Sequence, residues 1–228
     1  MKSDEYKIHP IAHIRTDFGD KFGLPRQSGR APSLIGKIEF LPEYGTPEAV
    51  RGIEGFSHLW LIFGFSAAEK ESGGLTVRPP RLGGNTRVGV FASRSPFRPN
   101  SLGLSSVKLE KIETTDDGCI LTVSGVDLLD MTPIYDIKPY LPSSDIHADA
   151  VGGYADEFRD YFLDVDFSDE LLSVLPAEKR AAAIECLRDD PRPAYQNDDG
   201  RVYGMKFAGF DIKFSVKDKK LTVLQVDI

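Results

Sequence analysis

Short apolar runs alternate with polar residues through the first two-thirds of the chain, and each run is closed by Gly, Pro, Asp or Asn. Residues 6–14, 34–41, 56–65, 87–92, 104–112 and 119–128 are of this kind and rich in Val, Ile, Leu and Phe, which predicts β-strands. No helix-length amphipathic segment separates them. The pattern therefore predicts a mainly β fold, an antiparallel barrel or sandwich rather than a doubly wound sheet. Residues 56–65 (FSHLWLIFGF) are apolar on both faces and predict a central strand, whereas 104–112 alternates and predicts a strand with one wet face.

The pattern changes near residue 150. Ser168 is a candidate N-cap, Leu171, Leu172 and Leu175 form a helical stripe, and Pro176 restarts a second helix that carries Ile184 and Leu187. After the turn-forming QNDDG, two alternating runs follow, with Phe210, Ile212, Phe214 and Val216 on one and Leu224, Val226 and Ile228 on the other. The predicted organisation is a β-barrel over residues 1–150 and a small C-terminal α+β appendage over 151–228.

Composition adds bounds. The 228 residues are 41% hydrophobic and 28% charged, enough to bury a full core. The longest apolar run, 59–65 (LWLIFGF), is far short of a membrane span, and MKSDEYKIHP has no signal-peptide core. No membrane association and a cytoplasmic location are expected. Cys119 and Cys186 are the two cysteines and are expected to pack as small hydrophobes.

Charge is unevenly placed. Residues 1–110 hold 15 Lys/Arg against 11 Asp/Glu, and residues 111–228 hold 13 against 24, so the net −7 conceals a charge dipole. Within 72–109 there are six basic residues, Arg78, Arg81, Arg87, Arg94, Arg98 and Lys108, and no acid. Arg predominates, and its planar fork suits phosphate and carboxylate. The loops 15–33 and 66–86 are long and rich in Gly and Pro, as binding loops on a β scaffold tend to be.

Several chemistries are set aside. His9 and His13 have the spacing of helical metal ligands, but Pro10 lies between them in a strand-like run, and no metal site is expected. There is no G-x-G-x-x-G between a strand and a helix, no phosphate-binding P-loop and no G-x-S-x-G elbow. Pro79-Pro80 is flanked by Arg on both sides, unlike the Asn/Asp-Pro-Pro-aromatic motif of Rossmann adenine methyltransferases. The segment 127–142 (DLLDMTPIYDIKPYLP) is dense in charge, and Asp136, Lys138 and Tyr140 alternate as on one face of a strand. If they converge with Arg94 and Arg98 they make a polar pocket. The alternative is a structural turn followed by a proline-protected edge strand.

The segments FGLPRQ (22–27), EGFSHLWLIF (54–63), RPPRLGGN (78–85), GVFASRSPFRPN (89–100), DLLDMTPIYDIKPYLP (127–142) and DPRPAY (190–195) resemble the TsaA/YaeB (TrmO-type) family. Its characterised members are S-adenosylmethionine-dependent methyltransferases acting on N6 of threonylcarbamoyladenosine beside the tRNA anticodon. The likeness runs in order from about residue 6 to the C-terminus, with one departure: Ser101-Leu102-Gly103 stands where the family commonly has Pro-Ile-Gly.

The resemblance implies a non-Rossmann barrel that binds S-adenosylmethionine, a homodimer with the donor cleft near the subunit interface, and the tRNA anticodon loop as partner. It places donor contacts on Pro25, Arg26, Gln27, Ser66, Ala67, Arg94, Leu104, Asp127, Leu128, Leu129 and Asp130. For the reaction, Asp136 is a candidate base, and Lys138 or Tyr140 a candidate donor to the carbamoyl oxygen. Arg78, Arg81 and Arg98 are candidates for RNA phosphates. Phe91 and Phe97 could stack on loop bases, with Phe91 expected in the core. Two other functions fit the same motifs: a non-catalytic S-adenosylmethionine-binding module, and a methyltransferase acting on a small metabolite.

Overall fold

A computed structural model describes residues 6–66, 74–193, 198 and 200–228. In chain order the strands are β1 (Ala12–Arg15), β2 (Ile35–Phe40), β3 (His58–Gly64), β4 (Thr76–Val77), β5 (Val88–Gly89), β6 (Leu102–Thr115), β7 (Gly118–Ser124), β8 (Thr132–Pro139), β9 (Asp164–Asp166), β10 (Val202–Phe207), β11 (Phe210–Lys217) and β12 (Lys220–Asp227). The helices are α1 (Pro142–Asp145), α2 (Asp169–Ser173) and α3 (Ala177–Arg188).

Six strands close into an antiparallel barrel in the order β1-β2-β7-β6-β3-β8. Alternation sends Ile14, Ile38, Leu59, Leu61, Leu121 and Ile134 inward, all with no exposed surface. Each such side chain contributes on the order of 1.5–3 kcal/mol through burial. β3 pairs with β6 on one side and β8 on the other, the central place that its two apolar faces require. Its outer face is covered locally, where Trp60 Nε1 donates to Asp145 Oδ2 at 2.8 Å. At Gly103, opposite Phe63 in the register, an added Cβ would lie 2.2 Å from Phe63 Cζ. Only glycine lets that ring lie flat against β6.

The C-terminal sheet runs β10-β11-β12-β9, with β9 parallel to β12. Ser168 caps α2, its Oγ accepting the Leu171 N–H at 3.4 Å, and Pro176 precedes α3. One apolar cluster joins this sheet to the barrel. Phe18, from the 15–33 loop, is fully buried and meets Phe207 of β10 at 5.4 Å between ring centroids, and Phe22 stacks on Tyr203 and Phe214.

Four differences from the sequence reading have local causes. The 6–14 run is strand only from Ala12, because Pro10 has no N–H to give a ladder. The 87–92 run is strand only at Val88–Gly89 and then turns as a short 3-10 segment over Val90–Ala92. β10 was not anticipated, although Tyr203, Met205 and Phe207 alternate inward. In β12 a register shift opposite Lys213/Phe214 leaves Leu224 unpaired and 48% exposed, while Leu221 and Val223 face the core. Cys119 and Cys186 are both buried, and burial, foremost, pushes the Cys186 thiol far up, away from reactivity. Among the described residues no helix is long and apolar enough to cross a membrane.

Candidate donor-binding site

One end of the barrel opens into a cavity of about 880 Å³, within the size range of small-molecule sites. Its walls come from the 21–27 loop, the end of β3 at residues 63–66, the 91–105 segment that leads into β6, residues 127–129 after β7, and Thr132 at the start of β8. Leu24, Phe63, Leu102, Leu128 and Leu129 make much of it apolar. Lys21, Arg26, Arg94 and Arg98 supply cations, and among the described lining residues Asp127 is the one carboxylate.

Asp127 is held where a carboxylate costs most. Burial pushes its pKa up, opposed by the Ser105 hydroxyl, by backbone N–H groups at Ser28 and Asp127, and by the charge of Arg94. Ser105 Oγ donates to Asp127 Oδ1 at 2.6 Å. Arg94 is exposed, and its Nη1 donates to Gln27 Oε1 at 2.5 Å. Arg98 Nη1 donates to the Ser93 carbonyl at 3.0 Å. Ser101 turns the chain into β6 with φ 44°, its N–H donating to the Arg98 carbonyl at 3.1 Å. A proline permits neither that φ nor that bond, so the departure at this position goes with a different turn.

The cavity brings together Pro25, Arg26, Gln27, Ser66, Arg94, Leu104, Asp127, Leu128, Leu129 and Arg98. Ala67 lies outside the described residues. Asp130 faces away, its Oδ1 accepting the Thr16 N–H at 3.1 Å and its other oxygen 3.6 Å from Arg15. Arg26 reaches the wall, but its Nη2 is committed to the carbonyls of Asp190 (3.0 Å) and Arg192 (2.7 Å).

Asp136 and Lys138 share one face of β8, but it is the outer one, because Ile137 between them packs on the core, and Tyr140 follows just past the end of the strand. Lys138 pairs with Asp136 at 2.8 Å, and Tyr140 packs on Trp60 at 5.4 Å between centroids. Lys138 borders a separate depression of about 300 Å³ with Trp60, Ile62 and Leu104. None of the three lines the large cavity.

Arg78 is exposed. Arg81 is half-buried, its Nη1 donating to the Phe158 carbonyl at 3.5 Å and its guanidinium 5.3 Å over the Phe158 ring. Burial, then the neighbouring Arg26 and Arg30 charges, pushes its pKa down. Phe91 corrects an expectation: it is 79% exposed at the cavity, not in the core, because the 3-10 turn at Val90–Ala92 buries Val90 and throws Phe91 outward. Phe97, 43% exposed, stands on the same lining. The reading from residues missed Ser105. A buried hydroxyl on the inward face of β6, between Gly103 and Val107, was the available signal.

Among the described residues the fold is a closed antiparallel barrel with a largely apolar end cavity that carries both signs of charge, and no doubly wound parallel sheet accompanies it. Comparison with known proteins goes further. Residues 13–146 match the family model of the tRNA-methyltransferase O N-terminal domain, and residues 160–228 that of the TrmO C-terminal domain. The chain is 39% identical to the tRNA (adenine(37)-N6)-methyltransferase of Escherichia coli strain K12, over 97% of this chain and 98% of that protein. It is 43% identical to a putative S-adenosylmethionine-dependent methyltransferase of Pseudomonas aeruginosa, over 91% of each. A crystal structure of TrmO from Pseudomonas aeruginosa superposes with a TM-score of 0.80 at 34% identity, covering 98% of this chain and 99% of that one. The chain belongs to the tRNA-methyltransferase O family.

Proposed function

We infer that the protein transfers the methyl group of S-adenosylmethionine to N6 of threonylcarbamoyladenosine at position 37 of tRNA, next to the anticodon. The observation that carries this reading is the end cavity. Its volume suits the donor, its apolar wall suits an adenine, and Arg94 and Asp127 offer opposite charges to an α-amino acid head.

When bound, the donor supplies an electrophilic methyl on a sulfonium. Transfer of that methyl to N6 would form the N–CH₃ bond as the S–CH₃ bond breaks, leave the sulfur as a neutral thioether, and release the N6 proton to solvent. The protein has to exclude water and align the groups. Leu24, Phe63 and Leu128 give the pocket an apolar wall that disfavours water. Arg94 holds the donor carboxylate, and Asp127 is the counter-charge to the donor's cationic groups. Pro25, Gln27, Ser66, Leu104 and Leu129 complete the donor wall. Phe91 and Phe97, exposed at the cavity, offer faces on which an extruded base can stack, for about 1–3 kcal/mol per base. Arg78 and Arg98 answer the phosphates. Arg81 is engaged by Phe158, so its part in RNA binding is the smaller one. Asp136 and Lys138, on the outer face of β8, and Tyr140, just past its end, act in this reading only if tRNA or a second copy reaches that face.

The reading also assigns donor binding to residues 1–150 and support to 151–228, a cytoplasmic setting, and a homodimer. The test is mass spectrometry of tRNA nucleosides from a strain lacking the gene, with purified protein added back. Loss and restoration of N6-methyl-threonylcarbamoyladenosine is expected, and unchanged levels overturn the reading. Purified protein that binds donor but yields no S-adenosylhomocysteine with tRNA would instead make it a binding module.

A further inference from the structure

Arg94 lines the cavity on an exposed side chain, and a guanidinium on so long a stem loses rotamer freedom when it binds an anion. Here its orientation is set in advance. Gln27 uses both ends of its amide: Oε1 accepts from Arg94 Nη1 at 2.5 Å, and Nε2 donates to the Arg26 carbonyl at 2.6 Å. A flipped amide would turn its own N–H₂ on the guanidinium, so the pair of bonds fixes one orientation.

Arg26 is itself pinned at both ends. Its N–H donates to Asp189 Oδ2 at 3.0 Å, and its Nη2 donates to the carbonyls of Asp190 and Arg192. Asp189 stands at the C-terminal end of α3, 4% exposed, with its other oxygen taken by Arg30 Nε. An unbroken path of hydrogen bonds thus runs from the end of a C-terminal helix to a cation in the donor cavity.

From this path we infer that Asp189 is a positioning residue: acting through Arg26 and Gln27, it holds Arg94 in the orientation that receives the donor. The C-terminal segment then does more than cover apolar surface, because it presets part of the barrel's site. The inference rests on the donor-binding reading above.

The test is calorimetry with S-adenosylmethionine on the full chain, at a temperature well below unfolding. Asp189→Ala should raise the donor Kd about fivefold to tenfold, and Asp189→Asn, which keeps one acceptor oxygen, should raise it less. Gln27→Ala should weaken binding as well, and the Asp189→Ala/Gln27→Ala pair should be no worse than Gln27→Ala alone, since both cut one path. If the alanine variant fails to fold, the Asp189→Asn/Gln27→Ala cycle asks the same question.

Lys179→Ala is the control. It removes the other ion pair between α3 and the barrel loop, Lys179 Nζ to Asp17 Oδ2 at 2.6 Å, and should lower Tm without changing donor Kd. An unchanged Kd in the Asp189 variants, strict additivity with Gln27→Ala, or an equal loss in Lys179→Ala would overturn the inference. A wild-type protein that binds no donor would sink the functional reading and this one with it, whereas wild-type binding with unaltered Asp189 variants sinks only this one.

Discussion

The 15–33 loop and the 74–101 segment both line one cavity and look alike in composition, each carrying several Gly, Pro and Arg residues. Their fates differ. The first buries Phe18 and packs Phe22 and Leu24 against the core, and it is tied to the C-terminal segment through Arg26, Arg30 and Lys179–Asp17. The second buries Pro79 and Val90 but leaves Leu75, Phe91 and Phe97 exposed. Anchored apolar side chains make a fixed wall, whereas unanchored aromatic and basic ones make a surface that waits for a ligand. What separates wall from lip is the presence of a partner surface, here the β10–β11 hairpin.

The comparison breaks most severely at Phe18. Phe18→Ala removes the ring from between barrel and sheet and should cost about 3–5 kcal/mol in chemical denaturation, with donor affinity lost as the wall loosens. A cost below about 1 kcal/mol, the ordinary size of a point substitution, would show that the wall stands without its anchor. Next is Arg94→Ala, which should weaken donor binding by about 1.5–3 kcal/mol, one to two decades in Kd, without moving Tm. An unchanged Kd by calorimetry would remove Arg94 from the site.

On the lip, Arg78→Ala with Arg98→Ala should lower the slope of log affinity for tRNA against log salt by roughly 0.7–0.9 for each phosphate left without its cation, with donor Kd held in the Arg78→Ala single variant. Arg81→Ala, whose guanidinium is spent on Phe158, should lower Tm and leave that slope nearly alone. A reversed pattern would exchange the roles of these arginines.

The smallest effect concerns pH. Because burial lifts the Asp127 pKa, the folded state keeps this proton to higher pH than the unfolded chain does. Its contribution to stability is therefore intact below the unfolded value and falls as pH rises through the raised folded value. Asp127→Asn should be slightly more stable than wild type at neutral pH, with the gap closing as pH falls through the carboxylate range. The same variant should bind the cationic donor more weakly, and wild-type donor affinity should fall at acid pH. Urea midpoints and calorimetry across pH check both signs.

Much of the fold was legible in the chain because alternation reports which face of a strand is buried, and that needs only nearest neighbours in sequence. The strands β1, β2, β3, β6 and β7, the Ser168 cap and the Pro176 restart were readable in this way, whereas the 87–92 run is no barrel strand and β8, read as an extended segment or a protected edge, pairs on both sides. Part of the cavity wall lies in the family motifs, from Pro25 to Gln27 and from Asp127 to Leu129, but Ser105 and Phe91 do not stand out there and Asp130 faces away, and the arginine run was legible through its missing acids. Position in space was not. Asp136, Lys138 and Tyr140 have the spacing of a shared face, but whether that face lies inside the cavity or outside the barrel depends on which side of β8 meets the core, and Ile137 settles it. Hydrophobicity alone points Phe91 inward, and a one-turn change of backbone reverses it.

The sequence by itself determined the strand-rich architecture, the change of composition near residue 150 and the local excess of positive charge, since each is a property of residues close together in the chain. Long-range packing alone settled which guanidinium is taken up by the protein. Arg26 and Arg81 differ from Arg94 in nothing that their neighbours reveal; what differs is that Asp189, the carbonyls of Asp190 and Arg192, and Phe158, more than seventy residues away, have come to meet the first two, while Arg94 is met by the Gln27 amide and still lines the cavity.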